Sequence, residues 1–184
     1  MQITFVRGDG MKEILVVVDM QKDFVDGALG TPEAVAIVPG VCDKLRTFEG
    51  DLFVTYDTHP ASYLDTAEGK KLPVPHCVKG TPGWQLDATV AESLADKAYT
   101  VVEKPTFGST DLPGLVAKAA GEEDFAVTLI GLCTDIGVVS NALLLKAHFP
   151  EQTIRVQAAL CAGVTPDSHA AALQTMQMCQ IDVI

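Results

Sequence analysis

The chain has 184 residues, 48% of them hydrophobic, with 15 glycines and 10 prolines, a composition that suits one domain (1–184) with a full-sized core and is short for two. Thirteen basic against 24 acidic residues leave a formal charge of −11, which argues against nucleic acid or an anionic membrane as partner and otherwise means solubility. The longest aliphatic run, "ILVVV", is far too short to span a bilayer, and "MQITFVRGDG" lacks the continuous apolar stretch of a secretion signal.

In chain order, residues 1–10 read as an appended N-terminal extension or an extra edge strand, because Met11 opens "MKEILVVVDMQ". Strands are predicted at 13–19, 51–57, 99–104, 125–131 and 153–157, where β-branched residues run on without polar alternation, the pattern of strands buried on both faces. Amphipathic helices are predicted between them at 39–48, 87–98, 112–120, 134–149 and 165–179. The last opens with a Thr cap, a proline at its first position and an aspartate in its first turn. "IDVI" (181–184) reads as a sixth strand. A repeated strand–helix order predicts an α/β fold whose parallel sheet carries helices on both faces. Five cysteines (42, 77, 133, 161, 179), odd in number and without a C-x-x-C pair, fit a reduced cytoplasmic protein with mostly buried thiols.

In such a sheet the site lies beyond the carboxyl ends of the strands. Those ends carry Asp19, Asp57 with His59, Lys104, and the turn 132–137. Asp19 closes "ILVVVD" and reads either as a partly desolvated proton acceptor or as a turn aspartate. Lys104 reads either as a surface lysine or as one fixed by the following "PTFGS" loop. In "YDTHP" an extended backbone projects Asp57 and His59 the same way, so both can face one cation. His76 and Glu68, in the loop that follows, complete a set suited to Zn²⁺, Fe²⁺ or Mn²⁺, unless the histidines only make loop hydrogen bonds. Cys77 is a soft donor whose side chain is expected to point away from that of His76, and His148 and His169 are expected to be structural.

The segments "VVVDMQKDF", "VTYDTHP…EGKKLPVPHCVKGTPGW", "VEKPTFGS" and "GLCTDIGVVSNALL" resemble, in order and spacing, the nicotinamidase/pyrazinamidase branch of the isochorismatase-like cysteine hydrolases. The resemblance runs from Met11 to Ile184. It implies a three-layer α/β/α sandwich with a mostly parallel, about six-stranded sheet, and hydrolysis of a small amide such as nicotinamide to nicotinate and ammonia. By the same resemblance Asp19 is the general base and Lys104 its cationic partner. Asp57, His59 and His76 are ligands of one divalent metal ion, Zn²⁺ foremost, and Glu68 is the fourth ligand of some members. Phe24 and Phe107 line the substrate pocket, residues 132 and 133 are joined by a cis peptide, and the amides of Cys133 and residue 137 form an oxyanion hole. The family's nucleophilic cysteine falls on Gly137; Cys133, although close, falls on a non-catalytic position. Glycine in a first helical turn serves no evident backbone need, so the expectation is a removed side chain and an inactivated or substrate-trapping amidase. Two alternatives stand beside it. One is a vinyl-ether hydrolase of the isochorismatase type, which needs no thiol but has no task for the metal set. The other is a non-catalytic homologue that binds a small molecule. Homo-oligomerisation is left open.

Overall fold

The structure is a computed structural model and describes residues 11–184; the N-terminal stretch read above as an extension or edge strand lies outside them. Its elements are β1 (Lys12–Val18), α1 (Lys22–Val25), α2 (Pro32–Thr47), β2 (Asp51–Asp57), α3 (Ala67–Lys71), α4 (Ala88–Ser93), β3 (Thr100–Lys104), α5 (Leu112–Ala120), β4 (Phe125–Leu132), α6 (Val139–His148), β5 (Thr153–Ala162), α7 (Pro166–Met178) and β6 (Asp182–Val183). The strands form one sheet in the order β3-β2-β1-β4-β5-β6. Every pairing between these strands is parallel, so among the described residues the sheet is parallel throughout.

Uniform β-branched strands require cover on both faces, and the two cores supply it. Alternate residues of β1 divide between them. Ile14, Val16 and Val18 pack with Leu112 and Val116 of α5, Leu145 of α6 and Met176 of α7, whereas Leu15 and Val17 pack with Val38, Val41 and Leu45 of α2 and Val90 of α4. All eight residues of β4 are buried, as the middle of such a sheet demands.

Two elements run further than their local sequence suggests. Helix α2 begins at Pro32, capped by Thr31, whose hydroxyl accepts from the Ala34 N–H, and it continues through Pro39, read above as the helix start. Strand β5 reaches Ala162, past the predicted Gln157, because a register shift opposite Leu129–Gly131 lets the chain resume pairing with β4. Gly131 makes this bend possible: its φ is +113°, and a Cβ there would lie 2.2 Å from the Val18 carbonyl oxygen. No helix among the described residues is long and apolar enough to cross a membrane.

Candidate active site

β1, β2 and β3 end side by side, and each delivers an ionisable group to the same edge. Asp57 and Lys104 are register partners at the ends of β2 and β3. Asp19 follows β1 with φ at +48°, a left-handed conformation that aspartate tolerates better than most residues. All three are buried, at 3%, 5% and 2% exposure for Asp19, Asp57 and Lys104, and buried charge persists only when paired. Lys104 Nζ lies 2.6 Å from Asp19 Oδ2 and 3.4 Å from Asp57 Oδ1, so one ammonium serves two carboxylates. It also donates to the Thr106 carbonyl at 3.1 Å. Thr55 Oγ1 donates to Asp19 Oδ1 at 2.6 Å and accepts from the Asp19 N–H at 3.2 Å, which fixes the carboxylate's rotation.

The environment sorts these acids. Burial raises Asp19 above the ordinary carboxylate range, with Lys104 opposing and Asp57 reinforcing the shift. Burial would raise Asp57 too, but the close approach of the His59 and His76 imidazoles and the charge of Lys104 more than offset it, so Asp57 stays ionised. Burial would depress Lys104, yet its two carboxylate neighbours hold it above the usual lysine value.

Beside this pair lies a donor cluster. Atoms of Asp57, His59 and His76 lie within 4.8 Å of one another. Asp57 Oδ2 is 2.9 Å from His59 Nε2 and 3.5 Å from His76 Nε2, and Glu68 Oε1 stands 3.8 and 3.7 Å from the same two nitrogens. His76 Nδ1 is 2.8 Å from the Val74 carbonyl oxygen, a contact that requires the proton on Nδ1 and turns the Nε2 lone pair toward the cluster. Among the described residues the buried His59 Nε2 has no hydrogen-bond partner, despite its closeness to Asp57. Two imidazole nitrogens and a carboxylate converging this way fit a divalent cation of the Zn²⁺, Fe²⁺ or Mn²⁺ type. Three acids, Asp19, Asp57 and Glu68, against the single lysine among the described pocket residues leave negative charge for such an ion to offset.

The supports of this cluster escaped the sequence reading. Gln21 is fully buried; its amide donates to the Asp57 and Trp84 carbonyls and accepts the Asp57 N–H, all at 2.8 Å. His59 pairs its backbone with the second loop, through His59 N–H to the Cys77 carbonyl at 3.0 Å and Lys79 N–H to the His59 carbonyl at 2.9 Å. Asp23 Oδ2 accepts the Cys77 N–H at 2.8 Å. These contacts join residues far apart in the chain, and only the D-M-Q-K-D run hinted at them.

Gly137 lies in a π-helical turn (Thr134–Val138) that leads into α6, after a cis peptide between Leu132 and Cys133. It is buried and its φ is not positive, so the backbone does not demand glycine. A Cβ built on it would lie 3.0 Å from Asp19 Oδ2 and 3.1 Å from the Leu132 carbonyl oxygen. The direction in which a side chain would leave residue 137 therefore runs to the Asp19 carboxylate. Cys133, the nearest thiol in sequence, is pushed up to about 12 by burial and by the charges of Asp135 and Asp19, which keeps it protonated and weakly nucleophilic.

Asp19, Asp57, Glu68, His76, Lys104, Cys133 and Gly137 all line one pocket, with Phe24, Leu29, Leu72, Phe107 and Ile136 forming its apolar wall. His59 lies just behind it, its ring 4.8 Å from that of His76. The Phe24 ring packs edge-on against His76 at 5.4 Å. Cys77 is fully buried outside the donor cluster. His169 bonds to Thr134 Oγ1 at 2.8 Å, and His148 packs on Phe149, so neither enters the pocket. All five cysteines are free.

An all-parallel α/β sheet with an acid–lysine pair and a histidine–carboxylate cluster at one carboxyl edge defines a small-molecule site of the hydrolase kind. The chain belongs to the Isochorismatase domain family, which matches residues 13–184. It is 28% identical over 185 residues to the nicotinamidase/pyrazinamidase of Mycobacterium tuberculosis, covering 92% of this chain and 97% of that one. The nicotinamidase/pyrazinamidase of Bacillus subtilis superposes with a TM-score of 0.80 at 26% identity, over 94% of this chain and 99% of the other. The pyrazinamidase of Pyrococcus horikoshii, in complex with zinc, gives 0.76 at 26% identity over 94% and 98%.

Proposed function

We propose that the chain is a nicotinamidase-type amidohydrolase scaffold whose nucleophile position is held by glycine, so that it binds a small heteroaromatic carboxamide or its acid and turns it over very slowly. One observation carries the reading: a side chain leaving residue 137 would start 3.0 Å from Asp19 Oδ2, inside the pocket that Lys104 and the aromatic wall enclose.

In this reading Phe24 and Phe107 sandwich the ring, and the amides of Cys133 and residue 137 face the carbonyl oxygen and stabilise the charge that develops there. Asp19, raised by burial and paired with Lys104, is the base that would take a thiol proton and return it to the departing ammonia. Without a thiol at 137 no acyl-enzyme forms, however well the other groups are placed. Asp57, His59 and His76, with Glu68 alongside, would hold one divalent ion, Zn²⁺ foremost as in the Pyrococcus horikoshii relative; when bound it supplies a Lewis-acidic anchor for the ring nitrogen. The test is ammonia release from nicotinamide and pyrazinamide by the chain as it stands and by Gly137→Cys. A protein whose restored thiol gives no turnover on any small amide would overturn the reading. Gly137 alone also favours a vinyl-ether hydrolase, which needs no thiol, but that chemistry leaves the donor cluster without a task.

A further inference from the structure

We propose that Asn141 is a positioning residue that locks the substrate-facing loop after β3 to the turn carrying Gly137; the inference rests on the functional reading above and deepens it.

Asn141 lies one helical turn beyond Gly137, on α6, and is fully buried. Its Oδ1 accepts the Ser109 N–H at 2.9 Å, and its Nδ2 donates to the Gly137 carbonyl at 2.9 Å. The two partners fix the orientation of the amide, since a backbone N–H only donates and a carbonyl only accepts. The loop so anchored carries Thr106, whose carbonyl holds Lys104, and Phe107, which lines the pocket. It ends at Ser109, whose Oγ accepts the Leu112 N–H where α5 starts. Pinning the Gly137 carbonyl fixes the backbone angles of that turn and hence the direction of any 137 substituent. One buried amide thus sets the spacing between the aromatic wall and the reacting position. Only a neutral amide can do both. A carboxylate of the same shape keeps the bond to Ser109 but sets an anion against the Gly137 carbonyl. Misplacement of reacting groups by about 1 Å costs on the order of a hundredfold in rate.

Two readouts test this. The first is amide hydrogen exchange in the chain as it stands. Asn141→Asp, at mildly alkaline pH where the new carboxyl is ionised, is expected to speed exchange in 134–138 and leave 106–110 unchanged, whereas Asn141→Ala speeds both. The second is kinetics in the Gly137→Cys background. Asn141→Asp is expected to lower kcat roughly tenfold to a hundredfold with KM within about twofold. Gly108→Val is expected to raise KM by more than it lowers kcat, because it pushes the loop off α6, where a Cβ would already meet Leu144 Cδ1 at 2.8 Å. If Asn141→Ala does not fold, the Asp variant decides alone. Unchanged exchange in 134–138 with Asn141→Asp overturns the proposal, as does an equal fall in kcat and rise in KM for Asn141→Asp and Gly108→Val. If Gly137→Cys itself turns over nothing, the amidase reading has failed, and the exchange arm still decides the role of Asn141.

Discussion

Replacing Gly137 with cysteine puts a Cβ 3.0 Å from Asp19 Oδ2, 3.1 Å from the Leu132 carbonyl oxygen and 3.1 Å from Val18 Cγ1. Each contact is a few tenths of an ångström short, so the turn and the Asp19 side chain must give slightly. Overpacking of this kind costs about 1–3 kcal/mol, from which roughly 1 kcal/mol is recovered by removing a helical glycine. The net loss of about 0–2 kcal/mol lowers the melting temperature by roughly 0–8 °C in a chain of this size. The fold should survive. The catalytic gain is far larger, because removing a covalent nucleophile typically costs about 10⁶ in kcat. Ammonia release from nicotinamide by Gly137→Cys is therefore expected to exceed that of the parent by on the order of 10⁴- to 10⁶-fold, the lower bound allowing for imperfect placement of the sulfur. Gly137→Ala is the control, since it carries the same Cβ contacts without a thiol and should gain nothing. The assay is steady-state ammonia release, with nicotinamide and nicotinate binding measured by calorimetry in all three proteins. A Gly137→Cys protein that folds and binds nicotinamide, yet releases ammonia no faster than Gly137→Ala, refutes the reasoning.

Protein purified without chelator, or reconstituted afterwards, should carry one divalent ion per chain by elemental analysis; His76→Ala should abolish most of that occupancy, while His169→Ala, which removes a partner of Thr134, should leave it unchanged. Absence of Zn, Fe and Mn after reconstitution would sink the ligand assignment. Isochorismate should release no pyruvate, and measurable release abolished by Asp19→Ala would promote the vinyl-ether reading. Iodoacetamide at neutral pH should label exposed Cys179 and spare Cys133, whose thiol is held protonated up to about 12, with labelling of Cys133 rising only as pH climbs toward that value. Equal neutral-pH labelling of the two would contradict the burial argument.

The strand ends were readable because their physics is local. A β-branched run followed by Asp19, Asp57 or Lys104 marks where a buried strand meets the rim. Helix α3, which carries Glu68, spans only Ala67–Lys71 and is too short for an apolar period. The early start of α2 was hidden by Pro39, which reads as a helix beginning yet lies inside one. The end of β5 was hidden by "AALCA", whose small residues mimic neither alternation nor a β-branched run. The buried amides and hydroxyl of Gln21, Thr55 and Asn141 could not be found from sequence, because each contacts a segment at least 32 residues away. Gly137 was the opposite case. Its oddity was visible in the chain, and the structure supplied only the direction in which a substituent there would point.

The shared ammonium of Lys104 has a bearing on how mutants of this site are read. It lies 2.6 Å from one acid and 3.4 Å from the other. Neutralising Asp19 releases the lysine wholly to Asp57, and neutralising Asp57 releases it wholly to Asp19. A single substitution at Asp19 therefore also alters the charge felt at Asp57 and the histidines beside it, and the reverse. The penalties of the two single mutants will not sum to that of the pair, and the difference measures the coupling that Lys104 carries. A loss of ion affinity in an Asp19 variant is then a reading of shared electrostatics, not evidence that Asp19 is itself a ligand.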